Sequence, residues 1–284
     1  MGTETNHTFE FVKHLAEELA EGNFDLPPFP DTALRVQESM QDPDVSIAKI
    51  ANLVLSEPAL TARLLRMANS AMLRRGPMEI TDIKAAISRI GLDMVQNAAV
   101  SFAAREAFHA PAGSKLKDEL DATRRHSIKV AALAYTLASK VKHLIKPDEA
   151  MLAGLLHTVG KFYILTRAEE FPELFSDAQA LQDLLDQWHT SVARAIVESW
   201  GFPEQIAQAV DEYELIDRDK FMPADVTDFV LVANLLSQTS DGDQANLLED
   251  IPSLSRLKMS PESVKTLIDE SQEEISSMTQ ALSG

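Results

Sequence analysis

The stretch Gly154-Leu-Leu-His-Thr-Val-Gly-Lys161 sets reactive side chains inside the pattern of a buried element. His157 lies in the middle of an apolar run, Thr158 follows it, and Gly160-Lys161 come where the backbone must let something approach closely. An imidazole there could ligate a metal, move a proton near neutral pH, or only hydrogen-bond within a filled core. Seven histidines in 284 residues make one or two core histidines unremarkable. His7, His14, His109 and His143 have no motif around them and read as surface or loop-end residues. Other chemistries are thinly represented. The ten glycines form no phosphate loop with Lys and Ser or Thr, and no nucleophile-elbow sequence occurs. With no cysteine, thiolate catalysis, disulfides and cysteine-bound zinc are excluded.

The elements that must position these residues read as helices throughout. Pro147 suits a first helical turn, Asp148 and Glu149 suit the positive end of a helix dipole, and Met151, Leu152, Leu155, Leu156, Val159 and Tyr163 recur at helical spacing. This predicts one buried central helix from Glu149 to Thr166. Thr158 is expected to bond to a backbone carbonyl one turn back. Upstream, an amphipathic helix covers residues 8 to 21, Leu26-Pro-Pro-Phe-Pro30 is a stiff connector, and helices are predicted near 31–41, 46–55, 57–71, 82–90 and 93–108. Ser46 and Thr81 stand at helix starts, Pro58 lies in a first turn, and Asp42-Pro43, Gly76-Pro77 and Gly91 stand at helix ends. Pro111, Gly113 and Ser114 mark the clearest internal boundary. Beyond it come long helices at about 115–141 and 178–199, with Phe171-Pro172 between, and another at 223–239. Ser260-Pro-Glu-Ser263 caps a last helix running to Leu282, with Ser271 interrupting its apolar stripe. No sustained period-2 alternation occurs, so the fold class is all-α.

Two strings carry a family resemblance. Gly-Leu-Leu-His-Thr-Val-Gly-Lys resembles the signature of the HD superfamily of metal-dependent phosphohydrolases, a His-Asp pair before Gly-Lys, with Thr158 in place of the Asp. Pro58-Ala-Leu-Thr-Ala-Arg-Leu-Leu-Arg-Met-Ala-Asn-Ser70, with Leu26-Pro-Pro-Phe-Pro30 and Asp42-Pro-Asp44, resembles the HD-related output domain, or HDOD, family over roughly residues 20 to 240. The resemblance implies a multi-helix HD-like bundle at about 113–240, an N-terminal helical layer at 1–112, and an acidic linker with a C-terminal helix at 241–284. It places His126 on the helix before the His157 pair, His189 as an accessory histidine, and Asn234 where the final metal Asp is expected. A histidine pair that many relatives carry is absent around Val210-Asp-Glu-Tyr213. Missing two carboxylates, the site lacks the anionic oxygens that Mg²⁺ or Mn²⁺ require, although three imidazoles could hold a softer ion. The expected set of pocket residues is His126, His157, Thr158, Lys161, His189 and Asn234, with Arg125 as a further charge partner, no catalytic residue, no bound metal and no cofactor.

Forty-four acidic against 26 basic side chains give a net charge of −18, which repels phosphate backbones and argues against nucleic-acid binding. From Asp211 onward there are 16 Asp and Glu but 5 Lys and Arg, read as a solvated acidic face. Arg63, Arg66, Arg74 and Arg75 are the local exception and read as a solvated basic helix face. No stretch is apolar enough to span a bilayer, and the start of the chain has no secretory pattern, so a cytoplasmic protein is expected. The resulting expectation is a non-enzymatic signalling output module that works through a protein partner or a small anionic or nucleotide ligand. The alternative is a divergent metal-dependent phosphohydrolase acting on nucleotides or cyclic dinucleotides.

Overall fold

Local signals fix most helix ends. The computed structural model describes residues 11, 13–18, 31–40, 42–107, 116–141, 145–168, 178–219, 221–238 and 248–283. Among the described residues there are fourteen named helices and no strand. They are α1 (Asp31–Met40), α2 (Ile47–Leu55), α3 (Pro58–Asn69), α4 (Ile83–Ile90), α5 (Leu92–Ala107), α6 (Lys117–Lys140), α7 (Pro147–Leu156), α8 (Val159–Ala168), α9 (Ala178–Ser199), α10 (Glu204–Glu212), α11 (Val226–Gln238), α12 (Pro252–Leu257), α13 (Pro261–Glu270) and α14 (Gln272–Ser283). Residues 13–18 are helical as well. Ser46 accepts from the Lys49 amide at 3.2 Å, and Asp82 from the Ala85 amide at 2.8 Å, so Asp82 rather than Thr81 caps α4. The expected Leu26–Pro30 connector, the boundary at 111–114, the break at Phe171-Pro172 and residues His7, His109 and His143 lie outside the described residues. His14 is exposed, as expected.

Apolar faces join in a core that runs from Phe11 to Leu282. The α3, α4 and α5 helices pack on one another, α5 packs on α7, and α14 bridges α3 to α6, so the N-terminal layer is in direct contact with the bundle of α6 to α11. Within the bundle α6 lies against α7 and α11, and α9 against α8 and α10. Two glycines allow the tightest crossings. A Cβ at Gly154 would come 2.7 Å from the Ala131 Cα, and one at Gly160 only 1.9 Å from the His189 carbonyl oxygen. The close approach predicted at Gly160 is thus α8 against α9.

Three expectations need correction. The predicted continuous helix 149–166 is two helices, α7 and α8, broken at His157-Thr158. Nδ1 of His157 bonds to the Gly154 carbonyl at 2.7 Å, and a continuous helix would give that acceptor to the amide of residue 158. The single C-terminal helix is likewise two, α13 and α14, which meet at the buried Ser271. Arg63 does not lie on a solvated face: it is 2% exposed, and its Nη2 donates to Ser101 Oγ at 3.0 Å, across α3 and α5.

The C-terminal part is fastened by ions as well as by apolar packing. Asp228, at the start of α11, is fully buried and accepts from Ser253 Oγ at 2.7 Å and from the Arg256 guanidinium through both carboxylate oxygens. Arg218 bonds to Asp228 at 3.2 Å, to Asp225 through two bonds of 2.7 and 2.9 Å, and to Glu212 at 3.1 Å. Burial pushes the Asp225 carboxyl up, but its bonds to Arg218 outweigh that and hold it below the ordinary carboxylate range. Nη1 of Arg256 also donates to the Asp219 carbonyl at 2.5 Å. One network therefore ties α11, α12 and the loop at 213–225 together.

Candidate functional site

The break between α7 and α8 brings His157 and Thr158 to the centre of the bundle, both fully buried. The α6 helix supplies His126, α9 supplies His189, and α11 supplies Asn234, which is 4% exposed. The rings of His126 and His157 stand edge to face at 5.2 Å between centroids. His157 and His189 have a third ring between them: Tyr213, at the end of α10, lies 4.7 Å from His157 and 6.0 Å from His189.

Hydrogen bonds fix the tautomers. The Nδ1–H of His189 donates to the Leu185 carbonyl at 2.6 Å, which leaves Nε2 to accept from the Tyr213 hydroxyl at 2.9 Å. Glu214 Oε1 lies 3.2 Å from that same Nε2. Burial raises the Glu214 carboxyl, but the neighbouring His189, Lys161 and Tyr213 side chains outweigh it and the net displacement is downward. Burial, with a contribution from Glu214, lifts the Tyr213 phenol well above its ordinary value, so it stays protonated and able to donate. His157 donates through Nδ1 to Gly154, and its Nε2 faces no partner. Burial first, then the neighbouring His126 and Lys161, hold its imidazole well below the ordinary value and keep it neutral. His126 is also lowered, by burial and then by Lys161, with a bond to Asn234 opposing. The Ser237 hydroxyl donates to the Asn234 carbonyl at 2.7 Å, so the 3.3 Å contact between Ser237 Oγ and His126 Nδ1 has the imidazole as donor.

Thr158 departs from expectation. Its Oγ1 is buried with no hydrogen-bond partner, so it does not bond to a carbonyl one turn back. It lines instead a cleft of about 270 Å³ together with His126, Lys161, Thr123, Gln182 and Gln238. Among the described lining residues, Lys161 is the one cation and Glu119 the one carboxylate. Arg125, the other expected charge partner, has an exposed side chain on α6 and is not among the lining residues.

The predicted meeting of three histidines is therefore realised in part. His126 lines the polar cleft, His157 packs behind it against His126 and Tyr213, and His189 bonds to Tyr213. Tyr213 and Glu214 are site residues that sequence reasoning passed over. The available signal was their position, where relatives carry a histidine pair, but it was read only as an absence.

Thr158 and Asn234 are neutral, His189 Nε2 is engaged by Tyr213, and among the described residues no three His, Asp or Glu side chains are placed to hold a metal ion. A hard divalent ion fits this set poorly, because the one carboxylate at the centre, Glu214, is turned to His189 Nε2 and Thr158 and Asn234 bring no charge to offset the ion's. Only His126 and His157 remain of the three imidazoles that could hold a softer ion.

The model of the HDOD domain matches residues 26–215. Over 205 residues the chain is 24% identical to an uncharacterised protein of Treponema pallidum (strain Nichols), a match that covers 69% of this chain but 39% of that longer protein. A candidate metal-dependent phosphohydrolase of Shewanella amazonensis SB2B has a similar structure, with a TM-score of 0.84, 26% identity and coverage of 98% of this chain and 99% of the other. An HDOD domain protein of unknown function from Geobacter sulfurreducens superposes with a TM-score of 0.67 at 26% identity, covering 95% and 96% of the two chains. Among the described residues, no helix is long and apolar enough to cross a membrane.

Proposed function

The chain belongs to the HDOD domain family, and from that premise we propose that it is a non-enzymatic regulatory module of signal transduction. It acts through protein contacts and takes a small anionic or nucleotide ligand in the cleft beside His126. The observation that carries this reading is the neutral character of the centre: Thr158 and Asn234, which the resemblance sets against the superfamily's carboxylates, bring no charge, and the Tyr213 ring packs on both His157 and His189. Catalysis by metal-bound hydroxide needs an ion held by charged ligands and a position for water. Binding needs less. The unpartnered Oγ1 of Thr158, with His126 and Lys161 at the cleft, supports a ligand that supplies hydrogen bonds and negative charge.

The phosphohydrolase alternative draws on the likeness to the Shewanella amazonensis protein, but the donor set gives it no further support. Both readings are tested by following the ³¹P resonances of mononucleotides and cyclic dinucleotides with the full chain and Mg²⁺. The expected result is broadening or displacement of resonances, weakened by Lys161→Ala, with no product signal. Metal-dependent product formation would refute the proposal.

A further inference from the structure

The loop at 213–225 has a second face. Of the eight large hydrophobic side chains that are exposed among the described residues, four fall in this loop: Leu215, Ile216, Phe221 and Met222. Phe221 is 85% exposed. Such side chains on a flexible loop would mean little, but this loop is held. Arg218 is turned inward to Glu212, Asp225 and Asp228, Arg256 grips the Asp219 carbonyl, and the Phe221 amide donates to Asp219 Oδ1 at 2.9 Å. A surface formed in advance avoids the ordering cost of association. Among the described residues of the loop, Glu214, Asp217 and Asp219 are exposed, while the guanidinium of Arg218 is committed to the interior.

We infer that this loop is a docking surface for an amphipathic, basic segment of a partner protein, with apolar side chains to cover Leu215, Ile216, Phe221 and Met222 and Lys or Arg to meet the acidic rim. Charge selects the occupant. A second copy of this chain would set the same acidic rim, on a molecule of net charge −18, against itself. An anionic bilayer would repel it as well. The surface does not depend on a ligand in the cleft, although Tyr213 and Glu214 begin the same loop and reach His189.

The test uses the full chain and three probes: a synthetic amphipathic helical peptide with Leu on one face and Lys on its flanks, the same peptide with Glu for Lys, and phosphatidylglycerol vesicles. The Lys peptide is expected to bind, more weakly as salt is raised, and the double substitution Ile216→Ser, Phe221→Ser to weaken it about tenfold or more. Neither the Glu peptide nor the vesicles should bind, and sedimentation should show no self-association that the substitutions abolish. Both side chains are exposed, so an unchanged melting curve verifies the fold of the variant. Equal affinity of wild type and variant for the Lys peptide would overturn the inference. So would vesicle binding or self-association removed by the same two substitutions.

Discussion

Helix α11 carries two buried polar centres built on opposite terms. At its start, Asp228 is an ionised carboxylate whose oxygens are taken up by Arg256, Arg218 and Ser253. Toward its end, Asn234 joins a neutral cluster of His126, His157 and Thr158 in which two buried polar atoms have no partner. The first centre keeps charge in the interior by satisfying it, which is the arrangement of a structural fastening. The second has given up charge and left hydrogen-bonding capacity open beside a cleft. On the proposed reading, unsatisfied neutral groups beside the cleft, rather than buried charge, mark the ligand site.

That contrast gives its largest effect at Asp228. Asp228→Ala leaves Arg256 buried beside Ser253 and the Asp219 carbonyl alone, and should cost about 3–5 kcal/mol in denaturant unfolding. A loss below about 1 kcal/mol would show that the network is not a fastening. Gly160→Ala comes next. Its methyl group would collide with the His189 backbone, so α8 and α9 must separate, at about 1–3 kcal/mol and with a change in the near-ultraviolet signal of Tyr213.

The dependence on pH sharpens the same comparison. Imidazoles held below their ordinary value, about 6.5, stay neutral in the fold while the unfolded chain takes up protons. His157 and His126 therefore withdraw stability as pH falls below about 6.5. Asp148, pushed up to about 6 by burial, acts in the opposite sense: it is protonated in the fold first, so stability rises as pH falls from about 6 to about 4. The His157 contribution is isolated by subtraction. His157→Phe should flatten the decline below pH 6.5 relative to wild type, and parallel curves would contradict a buried neutral imidazole. The smallest effect is expected at Thr158→Val, which removes a buried hydroxyl without a partner and should leave stability unchanged or raise it by up to about 1 kcal/mol. A loss of more than that would mean the hydroxyl is bonded after all.

How much was legible in the sequence follows from what sets each feature. Caps, prolines and apolar periodicity are local, and they located α3, α4, α9 and α11 to within a few residues. The break at His157-Thr158 was not legible, because it depends on a ring turning back to the Gly154 carbonyl while apolar spacing continues unbroken on both sides. Burial of Arg63 was hidden for a similar reason: its partner Ser101 is on a helix distant in sequence. The histidines were found through the family resemblance, whereas Tyr213 was overlooked because a tyrosine at a helix end has an ordinary packing role. The Arg218, Asp228 and Arg256 network was invisible in a segment read only by its net charge, since pairing is a property of three dimensions.

The central claim, that this HD-derived centre is no longer a metal site, is tested most directly by elemental analysis of the purified full chain after equilibration with Mn²⁺, Fe²⁺ and Zn²⁺ and removal of free ion. The account predicts substoichiometric metal in the wild type that does not change in His126→Ala or His157→Ala. Stoichiometric metal in the wild type, lost in both variants, would contradict it.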